Sequence, residues 1–347
     1  MKEINNPRKK VAVIGGGTGL PVILRGLKKL DAQITAVVTV ADDGGSSGTL
    51  RNYVNVIPPG DIRNCMCALS EEESIIIDLF QYRFNTDDDF LAGHAIGNLL
   101  IAALKEMKGS LSDSIDILSK IMKINGQILP AAPEALVLNA LFEDGTIAVG
   151  ESKIASHRKK IQEVNVVTMD GEPARHASPR VVEAIMDADL VVLGPGSLYT
   201  SILPNLMIEE IGNAIKQTTA HIVYVCNIMT QLGETENFSD ADHVEVLHDH
   251  LQAPFVDTVL VNTTEVPQDY IISQPNKEYL LQVKHDFNSL RRLGCGVISS
   301  EFLSMKEGGA YHDTKKVVEE LGHLLNSPGL LIKNNQAESE QTVLSYL

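Results

Sequence analysis

The 347-residue sequence predicts an α/β fold: a three-layer, Rossmann-like, doubly wound and mostly parallel sheet with a helical insertion. Three observations carry this prediction. First, apolar runs without polar alternation recur, as VAVIG (11–15), ITAVVTV (34–40), DLVVLG (189–194), HIVYVCN (221–227) and TVLVN (258–262). A strand that is apolar on both faces belongs in a parallel sheet covered by helices. Second, glycine-rich turns close the first and third runs and lead into helical spacing, the signature of β-α-β units. Third, aromatic residues make up only 5% and Trp is absent, so the core is aliphatic.

The elements follow in order. KVAVIGGG (10–17) reads as a buried strand, and TGLPVILRGLKKL (18–30) as a helix through Leu20, Ile23, Leu24 and Leu27. ITAVVTV completes the first β-α-β unit. From Asp61 to about Lys123 the pattern is mostly helical. Asp61 is placed to cap DIRNCMCALS, SIIIDLFQYRF follows, GHAIGNLLIAALKEM (93–107) is strongly apolar, and Ser112 or Asp113 is placed to cap SDSIDILSKIMK. Asp144-Gly145 between apolar runs marks a hairpin, and VNVVTM (164–169) reads as a strand. Ser178-Pro179 offers a cap and a first-turn proline before RVVEAIMDA. DLVVLGPGSLYTSILP (189–204) is strand, glycine turn and helix, and HDTKKVVEELGHLLN (312–326) is a terminal helix. Residues 8–327 are expected to form one α/β domain with its helical insertion at about 61–125. Residues 328–347 are expected to be a loose polar tail.

Charge and composition exclude several classes. A formal net charge of −16 lacks the basic excess of a nucleic-acid binder. The four cysteines include a C-x-C pair, Cys65 and Cys67, and no C-x-x-C, so buried reduced thiols are expected. No signal-peptide pattern and no run of about 20 apolar residues is present, which predicts a cytoplasmic chain without a membrane span.

In a doubly wound sheet, ligands meet the carboxyl ends of the strands, and that is where the chemistry-bearing residues fall. The first loop is GGGTG: Gly15, Gly16, Gly17, Thr18 and Gly19. It lets a phosphate approach the backbone, although Leu20 stands at the third glycine of G-x-G-x-x-G and no Gly-Lys-Ser/Thr follows. The second is DDGGSSG, with Asp42, Asp43, Ser46 and Ser47. Its carboxylates suit ribose or sugar hydroxyls, a Mg²⁺ bridging to phosphate, or a self-capping polar turn. In PPGDIRN, Arg63 is a candidate phosphate partner. In AGHAIGN, His94 and Asn98 stand four residues apart on a predicted helix face lined by glycine. The strongest phosphate signal is GPGSLYTSI, where Gly194, Gly196, Ser197, Thr200 and Ser201 enter a helix after a buried strand. Asn227 follows the HIVYVCN strand and reaches the same crevice. DADHVEVLHDH (240–250) is rich in His and Asp, but its spacing fits a polar helix face better than a metal site. The G-x-S-x-G elbow is absent, since no glycine stands two residues after Ser197.

Taken together, IGGGTGLP, TVADDGGSSGTLR, PPGDIRNC, GHAIGNLL and GPGSLYTSILPNL resemble the YvcK-type gluconeogenesis factors, a branch of the CofD-like superfamily. The resemblance runs in order from about Val11 to near Leu325. It implies a cytoplasmic regulator of cell shape and of growth on gluconeogenic carbon sources that binds a UDP-sugar, notably UDP-N-acetylglucosamine. Under that reading the two glycine turns hold the diphosphate, and Asp42 or Asp43 takes hydroxyls. The superfamily's namesake, 2-phospho-L-lactate transferase, implies the alternative: a Mg²⁺-dependent transferase with Asp42 and Asp43 on the metal. Mg²⁺ is the one cofactor implied, and it belongs to the transferase reading. Tyr311 stands where the family often carries a basic residue before His312, Asp313 and Thr314. A homodimer is expected, as such folds often pair.

Overall fold

The computed structural model describes residues 8–45, 48, 50, 57–72, 74–85, 92–273, 280–306 and 309–326. The predicted tail and the candidates Ser46 and Ser47 lie outside the described residues. Seven parallel strands form the central sheet: β1 (Lys9–Gly15), β2 (Ala32–Val38), β3 (Gln127–Pro130), β7 (Leu190–Leu193), β8 (His221–Val225), β9 (Thr258–Asn262) and β10 (Gly296–Ser300). Their order is β10-β9-β8-β7-β1-β2-β3. The chain therefore winds outward from β1 through β2 and β3, then returns to the other side of β1 with β7. This makes the β1–β7 pair the point where strand order reverses. The pair is in register at Val11↔Leu190 through Ile14↔Leu193.

Burial explains the sheet. Val11 through Ile14, Leu190 through Leu193 and Ile222 through Val225 are all at most 1% exposed, so these strands are apolar on both faces. Helix Gly19–Leu27 covers one face and packs against helices Pro59–Leu69 and Thr314–Asn326. Helices Val181–Met186 and Glu209–Gln217 precede and follow β7 in the chain and pack on each other. Between β2 and β3 run the helices Pro59–Leu69, Ser74–Gln81, Ile96–Lys108 and Leu111–Ile121, in the expected region. Three further strands, β4 (Val137–Phe142), β5 (Ile147–Val149) and β6 (Ile161–Val167), make a separate antiparallel sheet in the order β5-β4-β6. The Asp144-Gly145 hairpin joins β4 to β5. A small ribbon of β11 (Leu303–Lys306) and β12 (Gly309–His312) precedes the last helix.

Several helix starts differ from the sequence reading. Helix Pro59–Leu69 begins two residues before Asp61, whose carboxylate reaches another loop instead of its own helix. Ser110, not Ser112 or Asp113, caps Leu111–Ile121 by accepting from the Asp113 N–H. Ser178 caps nothing through its side chain: Arg180 precedes the helix Val181–Met186 in a left-handed conformation, φ 71°. Helix Asp240–Leu251 is no solvated polar face, since Asp240 and His243 are fully buried. Asp240 accepts from the Asp286 N–H at 2.7 Å, which accounts for a buried acid there without metal. All four cysteines are buried and free, as expected.

Candidate functional site

The site grows from the ends of β1 and β7. Gly15 ends β1, and its carbonyl accepts from the Thr39 N–H at 3.0 Å, which ties the turn to the chain beyond β2. Gly194 N–H returns the pattern on the other side by donating to Ile14 O at 3.0 Å. The two glycine turns then lie directly against each other. A Cβ on Gly19 would stand 2.3 Å from Pro195 O, and one on Gly196 would stand 3.5 Å from Gly16 O. Only hydrogen at Gly19 permits that approach. Ser201 fills the space between the turns, its Oγ 3.2 Å from where a Gly17 Cβ would be. Asn205, fully buried, braces both by donating to Ser201 O at 2.8 Å and to Gly15 O at 3.4 Å.

This junction opens into a cleft of about 320 Å³. Thr18, Gly19, Pro195, Gly196 and Ser197 form one wall, and Asn227, Ile228, Met229, Thr230 and Gln231 after β8 form another. Tyr270 and Ile271 from helix Gln268–Ser273 and Tyr311 and His312 at the end of β12 close its rim. Asn227 donates from Nδ2 to Gln231 Oε1 at 3.3 Å within the cleft. Burial drives the His312 imidazole down to about 4, so the ring is neutral at physiological pH. Its Nε2 faces Cys226 O at 3.0 Å, which requires the proton on Nε2.

Each turn is backed by a carboxylate. Gly17 N–H donates to Asp61 Oδ2 at 2.6 Å. Burial pushes Asp61 up to about 6, helped by the charge of Asp42 and opposed by the Gly17 hydrogen bond and by Arg63. On the other turn, Ser197 Oγ donates to Glu234 in a short hydrogen bond, and the Tyr199 N–H donates to the same carboxylate. Ser197 Oγ in turn accepts from Thr200 Oγ1 at 2.8 Å and from Thr200 N–H at 3.2 Å. Burial pushes Glu234 up to about 7.

The acidic loop adjoins the first turn. Asp42 accepts from its own Gly44 N–H at 2.8 Å, a local Asx turn. Asp43 reaches across to the second sheet and accepts from the Ser152 N–H at 2.9 Å, at the first turn of helix Glu151–Ile154. Glu151 lies beside them. Burial first, and then the charge and hydrogen bond of Asp42, hold its carboxyl far above the usual range, so it keeps its proton at neutral pH. Among the described residues no group of three His, Cys, Asp or Glu is placed to hold a metal ion. Asp42 and Asp43 each give one carboxylate oxygen, Oδ1, to a backbone N–H.

Arg63 and Asn98 come together, but as a pair. Arg63 is 5% exposed and donates from Nη1 to Asn98 Oδ1 at 2.9 Å and from Nη2 to Asn64 Oδ1 at 2.7 Å. Gly97 makes room for this: a Cβ there would stand 2.8 Å from Arg63 Cγ. His94 is buried two residues ahead of helix Ile96–Lys108, whose cap is Ala95, so His94 and Asn98 do not share a helix face. Asp61, Glu151 and Glu234 are not legible in the sequence as site residues, because each acts on a loop 37 to 109 positions away or next to one that does.

The profile of a known family, 2-phospho-L-lactate transferase CofD, matches residues 11–303. The chain belongs to the CofD family. Among relatives of this CofD-family chain, a Listeria innocua protein named gluconeogenesis factor is 47% identical over 331 residues, 95% of this chain and 98% of the relative. A Streptococcus pyogenes protein with a provisional form of that name is 53% identical over 322 residues, 93% of this chain and 98% of its own. A crystal structure of protein BH3568 from Bacillus halodurans is 43% identical and superposes with a TM-score of 0.86 over 91% of this chain and 99% of that one. A second structure of the same protein, described as a member of the UPF0052 family, gives 0.85 at 44% identity, over 90% of this chain and 99% of that one. The CofD-family chain thus groups with gluconeogenesis factors. No described helix is long and apolar enough to cross a membrane.

Proposed function

We propose that this CofD-family chain binds a nucleoside-diphosphate sugar of the UDP-N-acetylglucosamine class in the cleft onto which the two glycine turns open. In this reading it acts as a cytoplasmic regulator, needed for cell shape and for growth on gluconeogenic carbon sources. One observation carries the reading: two glycine turns abut at the reversal of strand order and open into a single cleft. Crevices at such reversals are where doubly wound sheets take nucleotides. The diphosphate lies against Thr18 and Gly19 on one side and Gly196 and Ser197 on the other, where turn backbone can donate. Tyr270 and Ile271 offer the apolar cover that a base needs, and Asn227 and Gln231 offer polar contacts to base or sugar. Relatives named as gluconeogenesis factors, at 47% identity and above, support the gluconeogenic part. The test is isothermal titration with UDP-N-acetylglucosamine, UDP and uridine. Saturable heat from the first two supports the reading; none at millimolar ligand sinks it.

A second reading is a transferase acting on a nucleotide-activated phospho-hydroxy acid, favoured by the family profile's description. It predicts Mg²⁺-dependent nucleotide release from such a donor. Release that is unchanged in Asp43→Asn excludes Asp43 from it.

A further inference from the structure

The two glycine turns share a construction in which a carboxylate from a distant element takes a hydrogen bond from the turn. Asp61, on the helix after β2, takes the Gly17 N–H at 2.6 Å. Glu234, in the segment after β8, takes the Ser197 hydroxyl and the Tyr199 N–H. These are the donor types that a strand-to-helix turn offers to phosphate. Glu234 is buried and Asp61 is half-buried, and among the described residues neither has a cationic nitrogen within ion-pairing distance. The charged groups facing Asp61 are Asp42 and Arg63, with Glu151 beside Asp42. Glu236 faces Glu234 from its own segment. Arg158, Lys159 and Lys160 share an adjoining hollow with Glu234, where Lys159 pairs with Asp144 and Lys160 with Glu143.

We infer that Asp61 and Glu234 are charge-selecting residues: an anionic ligand enters this cleft together with protons taken up by these two carboxyls. The inference rests on reading the cleft as a nucleoside-diphosphate site. An ionised carboxylate behind each turn and a diphosphate in front of it repel across a few ångströms of water-poor protein. One proton from solvent to a carboxylate oxygen removes that repulsion at each turn, with no other bond made or broken. Burial has already brought both groups close to neutral pH, to about 6 and about 7, so the uptake costs little there. A neutral carboxyl also holds the Gly17 and Tyr199 N–H groups less strongly, which leaves them freer to face the ligand.

The test is calorimetry of UDP-N-acetylglucosamine binding at pH 7 in two buffers of different ionisation enthalpy. This diphosphate diester has no oxygen that titrates near neutrality, so any proton taken up belongs to the protein. The expected result is uptake of between about one and two protons per ligand, with affinity weakening by up to about a hundredfold per pH unit well above pH 7. Glu234→Gln and Asp61→Asn should each lower the uptake and flatten that slope, the Asp61 contribution setting in at lower pH. Binding without measurable uptake overturns the inference and leaves the cleft reading intact. Absence of binding by the unaltered chain overturns both.

Discussion

Replacing Gly19 with alanine tests the contact on which the cleft depends. The added Cβ stands 2.3 Å from Pro195 O, 2.8 Å from Pro195 C and 3.3 Å from Gly196 N. All three atoms are backbone, so no side chain can swing away. To reach ordinary contact the two turns must separate by about 1 Å, a forced repacking that typically costs about 1–3 kcal/mol. Gly15→Ala is the matched control, four residues away in the same glycine run. Its Cβ meets nothing closer than 3.9 Å, and its backbone is not in the left-handed region. That substitution should be neutral or gain up to about 1 kcal/mol, by restricting the unfolded chain. Urea unfolding gives the stability of each variant, and titration with UDP-N-acetylglucosamine gives the affinity. Gly19→Ala should lower the midpoint and weaken binding by about tenfold or more, or about 1.4 kcal/mol, because the wall that the two turns form together is split. If the two variants match each other in midpoint and in affinity, the turns are not in the contact described and the reasoning fails.

Two further outcomes follow from the carboxylates. Glu234 is raised from its ordinary 4.5 to about 7, so the folded chain holds this proton more tightly than the unfolded chain. Its stabilisation is complete below about pH 4.5 and is lost as pH rises to about 7, on the order of 3 kcal/mol at most. Subtracting the pH–stability curve of Glu234→Gln from that of the unaltered chain should isolate this fall; a flat difference would count against the burial described. Asp43→Ala removes the acceptor of the Ser152 N–H and should cost about 1 kcal/mol in urea unfolding. Asp43→Asn keeps an acceptor oxygen and drops a charge beside Asp42, Asp61 and Glu151, so it should be neutral or stabilising. Equal losses in the two variants would show that the hydrogen bond is not what Asp43 contributes.

Much of the frame is legible because its signal is local. VAVIG, ITAVV, LVVL, HIVYV and TVLVN each announce a doubly buried strand by composition alone, and each is one. The edge strand β10, Gly296–Ser300, escapes that pattern because it is only partly buried and carries two serines. The glycine turns are legible because turn chemistry is written in adjacent residues. What is not legible depends on residues distant in sequence. Asp61 reads as a helix cap, since an Asp after Pro-Pro-Gly commonly is one, yet it serves a loop 44 residues earlier. Glu234 sits in GETEN, which has no period or motif, and Ser197, its partner, is 37 positions away. Helix Asp240–Leu251 reads as a solvated face because a buried Asp is rare; here the His285 ring and the Asp286 N–H supply its partners.

The strand order also bears on how the chain is made. β1 emerges first from the ribosome and finds β2 soon after, but its other neighbour arrives much later: the contact of Lys10 N–H with Asp189 spans 179 residues. At about 5–20 residues per second, the β7 edge of β1 waits roughly 10–35 s for its partner. For that time Val11, Val13 and their neighbours form an open apolar edge of the kind that invites wrong pairing. The nascent first half is therefore the stage at which a chaperone would find the most to hold. The binding cleft cannot exist until β7 and β8 have left the exit tunnel, so a truncated or stalled chain would carry the GGGTG turn and lack the second wall it works against.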